Sequence, residues 1–193
     1  MKINCKITMK TICPLIITVI FLFPGCVPKK SVADTKPVTL QSETGQPEMN
    51  YRDPATWLLG YFTREQLTRP PHNDWFQKGY DEYVFNTEAV NKLTDISKDD
   101  LTIKIIMGTW CPDSRREVPR FMKIIDIWKF PPEKITFIGV DDAKRSPVGE
   151  YENLDIQRVP TFIFYKNNVE AGRIIEVPLT SLEQDIVNIL IKE

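Results

Sequence analysis

A single cysteine, Cys111, stands where an apolar run gives way to an amphipathic stretch, in Thr109-Trp110-Cys111-Pro112-Asp113-Ser114, and this junction constrains the fold more than any other part of the chain. Upstream, Leu101-Thr102-Ile103-Lys104-Ile105-Ile106-Met107 reads as a buried strand. Downstream, residues 115–130 carry Val118, Phe121, Met122, Ile125 and Trp128 at the spacing of one helix face. Cys111 is therefore expected at a helix N-terminus, where the dipole and unpaired backbone N–H groups favour thiolate over thiol.

Composition narrows the chemistry. The formal charge is −1, which gives no broad electrostatic case for nucleic acid or an anionic membrane surface as partner. No Gly-rich phosphate loop, zinc-spaced Cys/His cluster or His-Glu-x-x-His helix is present, so the sequence predicts no cofactor and no metal. The one histidine, His72, lies in Pro70-Pro71-His72-Asn73-Asp74 and reads as a surface loop residue, which leaves hydrolytic catalysis without a base.

Residues 1–25 read as a targeting segment rather than as part of the fold. Lys2, Lys6 and Lys10 form a basic region, and residues 12–23 a short apolar one. The segment ends at Phe23-Pro24-Gly25-Cys26, which resembles the lipobox of bacterial lipoproteins; Gly25 fits that pattern, and Phe23 and Pro24 depart from it. The resemblance implies a lipid-modified Cys26 and a protein of the bacterial cell envelope, anchored in a membrane and facing the periplasm or the exterior. An ordinary signal peptide or an uncleaved anchor are the alternatives. Of the four cysteines, Cys5 and Cys13 would leave with the signal and Cys26 would carry lipid, so Cys111 would remain as a lone thiol with no disulfide framework.

Residues 26–50 are rich in Pro, Ser, Thr and Gln and read as a flexible tether, with a reach of about 25–30 Å. Residues 51–79 carry Trp57, Leu58, Leu59, Tyr61, Phe62, Leu67, Trp75 and Phe76, and read as an N-terminal extension of one or two short helices, the first opened by Asp53-Pro54. Residues 80–193 form the main domain. Its pattern predicts a strand over 80–85, a helix over 87–93 capped by Asn86 or Thr87, the strand and helix around Cys111, and a strand over 134–140. A short helix over 149–154, strands over 161–165 and 169–177 joined at Lys166-Asn167-Asn168, and a helix over 179–191 follow. The fold class is α/β, a central mixed β-sheet flanked by helices.

Four local features then resemble the thioredoxin superfamily in order along residues 80–193. They are Trp110-Cys111-Pro112-Asp113-Ser114 at the strand-to-helix junction, Pro119 in the following helix, Val159-Pro160-Thr161-Phe162, and Gly172 in the last hairpin. The resemblance implies a thioredoxin-like fold in which Pro160 is cis and faces the Cys111 sulfur. It is nearest to lipid-anchored envelope proteins of this type. Two departures matter: Ser114 stands where dithiol members carry a resolving cysteine, and Ile105 where they keep a buried acid.

The resemblance implies Cys111, Ser114 and Pro160 as catalytic, with Trp110, Pro112, Val159 and Thr161 on the substrate side. Ser114 is expected to donate a hydrogen bond to the thiolate, or else to be a helix-compatible filler. Asp113 is expected to accept first-turn N–H groups. Arg115 and Arg116 either tune the thiolate or bind an acidic partner. The function expected is thiol–disulfide exchange through one accessible cysteine with envelope proteins or small thiols. A peptide-binding module without redox chemistry and a cysteine oxidation sensor are the rival readings.

Overall fold

The computed structural model describes residues 49–192; the expected targeting segment, Cys26 and most of the expected tether lie outside the described residues. Among the described residues the strands form one sheet in the order β1-β3-β2-β4-β5. Its centre is β2 (Leu101–Met107), parallel to β3 (Ile135–Gly139) and antiparallel to β4 (Thr161–Lys166). The outer strands are β1 (Gly60–Phe62), antiparallel to β3, and β5 (Val169–Ile175), antiparallel to β4. The helices are α1 (Arg64–Leu67), α2 (Asn73–Glu82), α3 (Thr87–Thr94), α4 (Pro112–Trp128) and α5 (Leu182–Leu190). This is the mixed α/β architecture that the sequence pattern predicts.

β2 is buried on one face throughout and on both faces at its C-terminal end; Thr102 is exposed and Lys104 half-buried on the second face. Leu101, Ile103, Ile105 and Met107 point into the larger core with Phe121, Ile125, Phe162, Phe164 and Ile186, while Ile106 points into a smaller core with Ile138, Val140, Tyr151, Val159 and Ile163. The second core is roofed by the 3-10 turn Gly149–Leu154, which contributes Tyr151 and Leu154. Asn167 and Asn168 both take positive φ between β4 and β5, as their dipeptide predicts for a tight hairpin turn.

Two expectations for the first third of the described chain are corrected. No strand forms over 80–85: those residues finish α2 and continue as extended chain. Phe76 and Tyr80, one helical turn apart, stack at 6.4 Å and place an aromatic face where α2 packs along α4. The first strand is instead β1, inside the segment expected to be wholly helical. Three residues are too short to display an alternating pattern, so tertiary pairing with β3 alone defines them. The chain before β1 lies tight against β3, where a Cβ on Gly139 would overlap Leu58 O. Arg64 in α1 makes paired hydrogen bonds of 2.7 and 2.6 Å to Asp126 in α4, and Tyr80 donates to the same carboxylate at 2.7 Å. Burial would raise the Asp126 pKa, but these hydrogen bonds outweigh it and hold the carboxyl below its ordinary range.

His72 also departs from expectation. It is 2% exposed rather than a surface loop residue. Its carbonyl accepts from Phe76 N at the start of α2, and its ring meets Trp75 edge-on at 5.9 Å. Nδ1 has no hydrogen-bond partner among the described residues. Burial, and secondarily the charge of Arg115, push the imidazole pKa below its ordinary 6.5. The folded protein then binds fewer protons here than the unfolded chain. The contribution to stability is intact above the ordinary value and declines as pH falls through and below it. Denaturant unfolding between about pH 7.5 and 5.5 should show wild type losing more stability on acidification than His72→Phe; a pH-independent difference between the two would contradict this.

Candidate functional site

β2 ends at Met107, and the next four residues turn the chain into α4 so that Cys111 is the N-cap and Pro112 the first helical residue. The turn is closed by Cys111 N donating to Gly108 O at 2.9 Å and continued into the helix by Arg115 N donating to Cys111 O at 3.1 Å. Gly108 must lack a side chain, because a Cβ there would overlap the Trp110 indole folded across it. That indole is held by Nε1 donating to Val140 O at 3.0 Å, and its ring lies 6.4 Å from Trp57.

The sulfur faces the loop before β4. Cys111 Sγ–H donates to Val159 O at 3.3 Å, and the Val159–Pro160 peptide bond is cis, the arrangement expected from the sequence. Pro160 O accepts from Glu176 N at 2.7 Å and the Thr161 hydroxyl donates to Arg158 O at 2.6 Å, so the loop is braced on both sides. The expected accessibility is corrected. Cys111 is 7% exposed, enclosed with Ile106, Ile138, Val140 and Val159. Val159, Pro160 and Thr161 are buried beside it, and it is Trp110 and Pro112 that reach the surface.

Ser114 is wholly buried one turn into α4, and its hydroxyl oxygen accepts from Gly108 N at 3.3 Å. The hydrogen bond expected from it to the Cys111 sulfur is absent among the described contacts. The hydroxyl closes the turn instead, because Gly108 N–H would otherwise be a buried donor with no acceptor. Asp113 likewise does not cap the helix; it pairs with Arg116 at 2.6 Å, and Arg116 also reaches Glu117 at 2.6 Å. Ile105 is fully buried between Phe137 on β3 and Phe162 on β4, so the position where the resemblance implies an acid is part of the core.

Sequence reasoning missed the contribution of the extension to this site. The buried Thr109 hydroxyl accepts from Leu58 N at 3.3 Å and donates to Thr56 O at 3.4 Å, fixing the extension to the turn that carries Cys111. Arg115 Nη1 donates to Thr109 O at 3.0 Å and to Trp110 O at 2.8 Å, and its guanidinium stacks 4.5 Å from the centre of the Tyr51 ring. Tyr51 in turn donates to Pro71 O at 3.1 Å and accepts through its carbonyl from Trp57 Nε1 at 3.0 Å. Beside these contacts runs an open groove of about 1130 Å³, lined by Tyr51, Trp57 and Pro71 of the extension and by Trp110, Pro112 and Arg115. The aromatic density of residues 51–76 was the available signal; the threonine carries none.

No family model matches the chain. Over 100 residues it is 32% identical to Putative thioredoxin-5 of Dictyostelium discoideum, spanning 50% of this chain and 88% of that protein. Among solved structures, a Pseudomonas aeruginosa protein of unknown function aligns with a TM-score of 0.42 at 14% identity, covering 60% of this chain and 77% of its own. Thioredoxin O2 of Arabidopsis thaliana in the oxidized state aligns with a TM-score of 0.37 at 19% identity, covering 53% and 87% respectively.

The grip of Thr109 on the extension is testable. Thr109→Val keeps the shape but leaves Leu58 N–H without its acceptor and Thr56 O without its donor. It should cost about 1–2 kcal/mol of stability and raise amide hydrogen exchange at Leu58 relative to the β2 core; unchanged exchange would show that the extension is held elsewhere.

Proposed function

This chain belongs to the thioredoxin family, and from that premise we propose that it is a single-cysteine thiol–disulfide exchange protein of the cell envelope, anchored through Cys26. The observation that carries the reading is the placement of Cys111 at the N-cap of α4 with its sulfur against Val159 O. The thiol must leave that hydrogen bond and give up its proton to react. The thiolate then attacks one sulfur of a partner disulfide along the S–S axis. One S–S bond forms between Cys111 and the attacked sulfur, one breaks, and the departing thiolate takes up a proton.

Resolution follows from what stands at position 114. A hydroxyl cannot attack the mixed disulfide as a thiolate does, and Ser114 Oγ is held by Gly108 N. An external thiol must therefore attack the mixed disulfide, regenerating Cys111 as thiol and leaving with the partner's sulfur in a new disulfide. Cys111 cycles between thiol and mixed disulfide, and the small or protein thiol supplies the electrons. Ile105 deepens the same specialisation, since no acid stands there to deprotonate a second thiol.

The burial of Cys111 favours a second reading, a binding module that uses the groove beside Trp110 with no exchange step. The two readings separate on one measurement. The folded protein treated with bis(2-hydroxyethyl) disulfide should gain a mass adduct that is lost in Cys111→Ser, persists after removal of excess reagent, and disappears on adding a small thiol. Ser114→Cys should shorten the life of that adduct by forming an internal disulfide. No adduct dependent on Cys111 would leave the binding module.

The anchor rests on the basic and apolar segments ahead of Gly25-Cys26. Cell fractionation should place the protein with membranes, and Cys26→Ser should release it or block its processing. A mature N-terminus elsewhere, without lipid, would overturn the anchor.

A further inference from the structure

Arg115 has no anionic partner among the described residues. It lines the groove together with Trp110 and Pro112, the residues on either side of Cys111 in the chain, yet no carboxylate lies within ion-pair distance of it among the described residues. The neighbouring arginines of α4 differ: Arg116 pairs with Asp113 and Glu117, and Arg120 with Glu117. The acids that line the same groove are Asp74, which accepts from Asn73 Nδ2 at 2.6 Å, and Asp142; neither pairs with Arg115. Only Nη1 of Arg115 is satisfied by protein, on Thr109 O and Trp110 O, which leaves the other edge of the fork unfilled among the described contacts. The Tyr51 ring at 4.5 Å and those two carbonyls fix the plane of the guanidinium, so little rotamer entropy remains to be lost on binding. Burial pushes its pKa below the ordinary range.

A half-buried, pre-oriented guanidinium with a free edge is matched by a planar carboxylate, which takes two parallel N–H···O bonds. We infer that Arg115 is the carboxylate-binding residue of this groove, seating a carboxylate of the sulfur-bearing partner beside Cys111. This deepens the exchange reading and rests on it for the identity of the partner as a thiol or disulfide. The shared chemistry is a carboxylate a few bonds from sulfur, supplied either by a small acidic thiol or by an acidic side chain next to a cysteine in a polypeptide.

The test uses probes that cannot exchange. The full-length protein carrying Cys111→Ser is titrated with 3,3′-thiodipropionate and with its dimethyl ester, and with a short peptide bearing S-methylcysteine between two aspartates and its counterpart with two asparagines. Binding is followed by NMR at the Trp57 and Trp110 indoles and the Arg115 side chain. The acidic member of at least one pair should bind roughly tenfold tighter than its uncharged counterpart, the preference shrinking with salt. Arg115→Met should abolish that preference, Arg115→Lys should retain part of it, and Arg116→Met should leave it intact. Which acidic probe shows the larger preference tells a small thiol from a polypeptide. No preference in either pair, or a preference that survives Arg115→Met, overturns the assignment. Because these probes contain no disulfide, the outcome is independent of whether the Cys111 adduct with bis(2-hydroxyethyl) disulfide forms.

Discussion

The two-sided burial of the C-terminal end of β2 is the constraint from which the site follows. A strand with apolar residues on one face only could slide or lift at its end. Here Ile105 and Met107 are held by the larger core, and Ile106 by the smaller one. The last residue of the strand is thereby fixed to within the tolerance of close packing. Everything downstream inherits that position: the Gly108 turn, the N-cap at Cys111, and the direction of α4. The smaller core includes Cys111, so packing that stabilises the fold also encloses its thiol. That enclosure opposes the exchange step proposed for Cys111, and the hydrogen bond to Val159 O is the contact such a step must break.

Serine at position 114 shows how one substitution reassigns a local network. The hydroxyl completes a turn by accepting from Gly108 N, a role unrelated to redox chemistry. The site places Cys111 against the cis-proline loop, and in the exchange reading proposed above it lacks a second thiol at position 114 to end the reaction within the protein. The groove beside Trp110 is built jointly by the family core and by residues 51–71 of the extension.

Much of this was legible in the sequence because it depends on periodicity and local chemistry. The apolar run of β2, the helix face led by Val118 and Phe121, the Asn167-Asn168 turn and the Val159-Pro160 loop all announce themselves within a few residues. What was not legible depends on contacts distant in the chain. β1 exists because β3 offers it backbone partners. His72 is buried because α2 folds Trp75 over it, and Thr109 matters only because Leu58 and Thr56 arrive 50 or so residues away. The same holds for Ser114 and Asp113, whose side chains had several possible partners nearby and were assigned by geometry that the sequence does not carry.

The pairing of β1 with β3 has a consequence for how the molecule behaves among its own copies. Without β1, β3 would present a free row of backbone donors and acceptors along an apolar strand, with Phe137 and Ile138 beside it, which is a template for uncontrolled strand addition. β1 covers that edge while being a poor template itself. It is three residues long, begins at Gly60 with φ of 72°, and has Pro147 packed against that glycine. Beyond its part in the groove, the extension thus guards solubility. A shortened chain starting at α1 would keep the residues packed around the Cys111 sulfur, lose Tyr51 and Trp57 from the groove, and carry an open sheet.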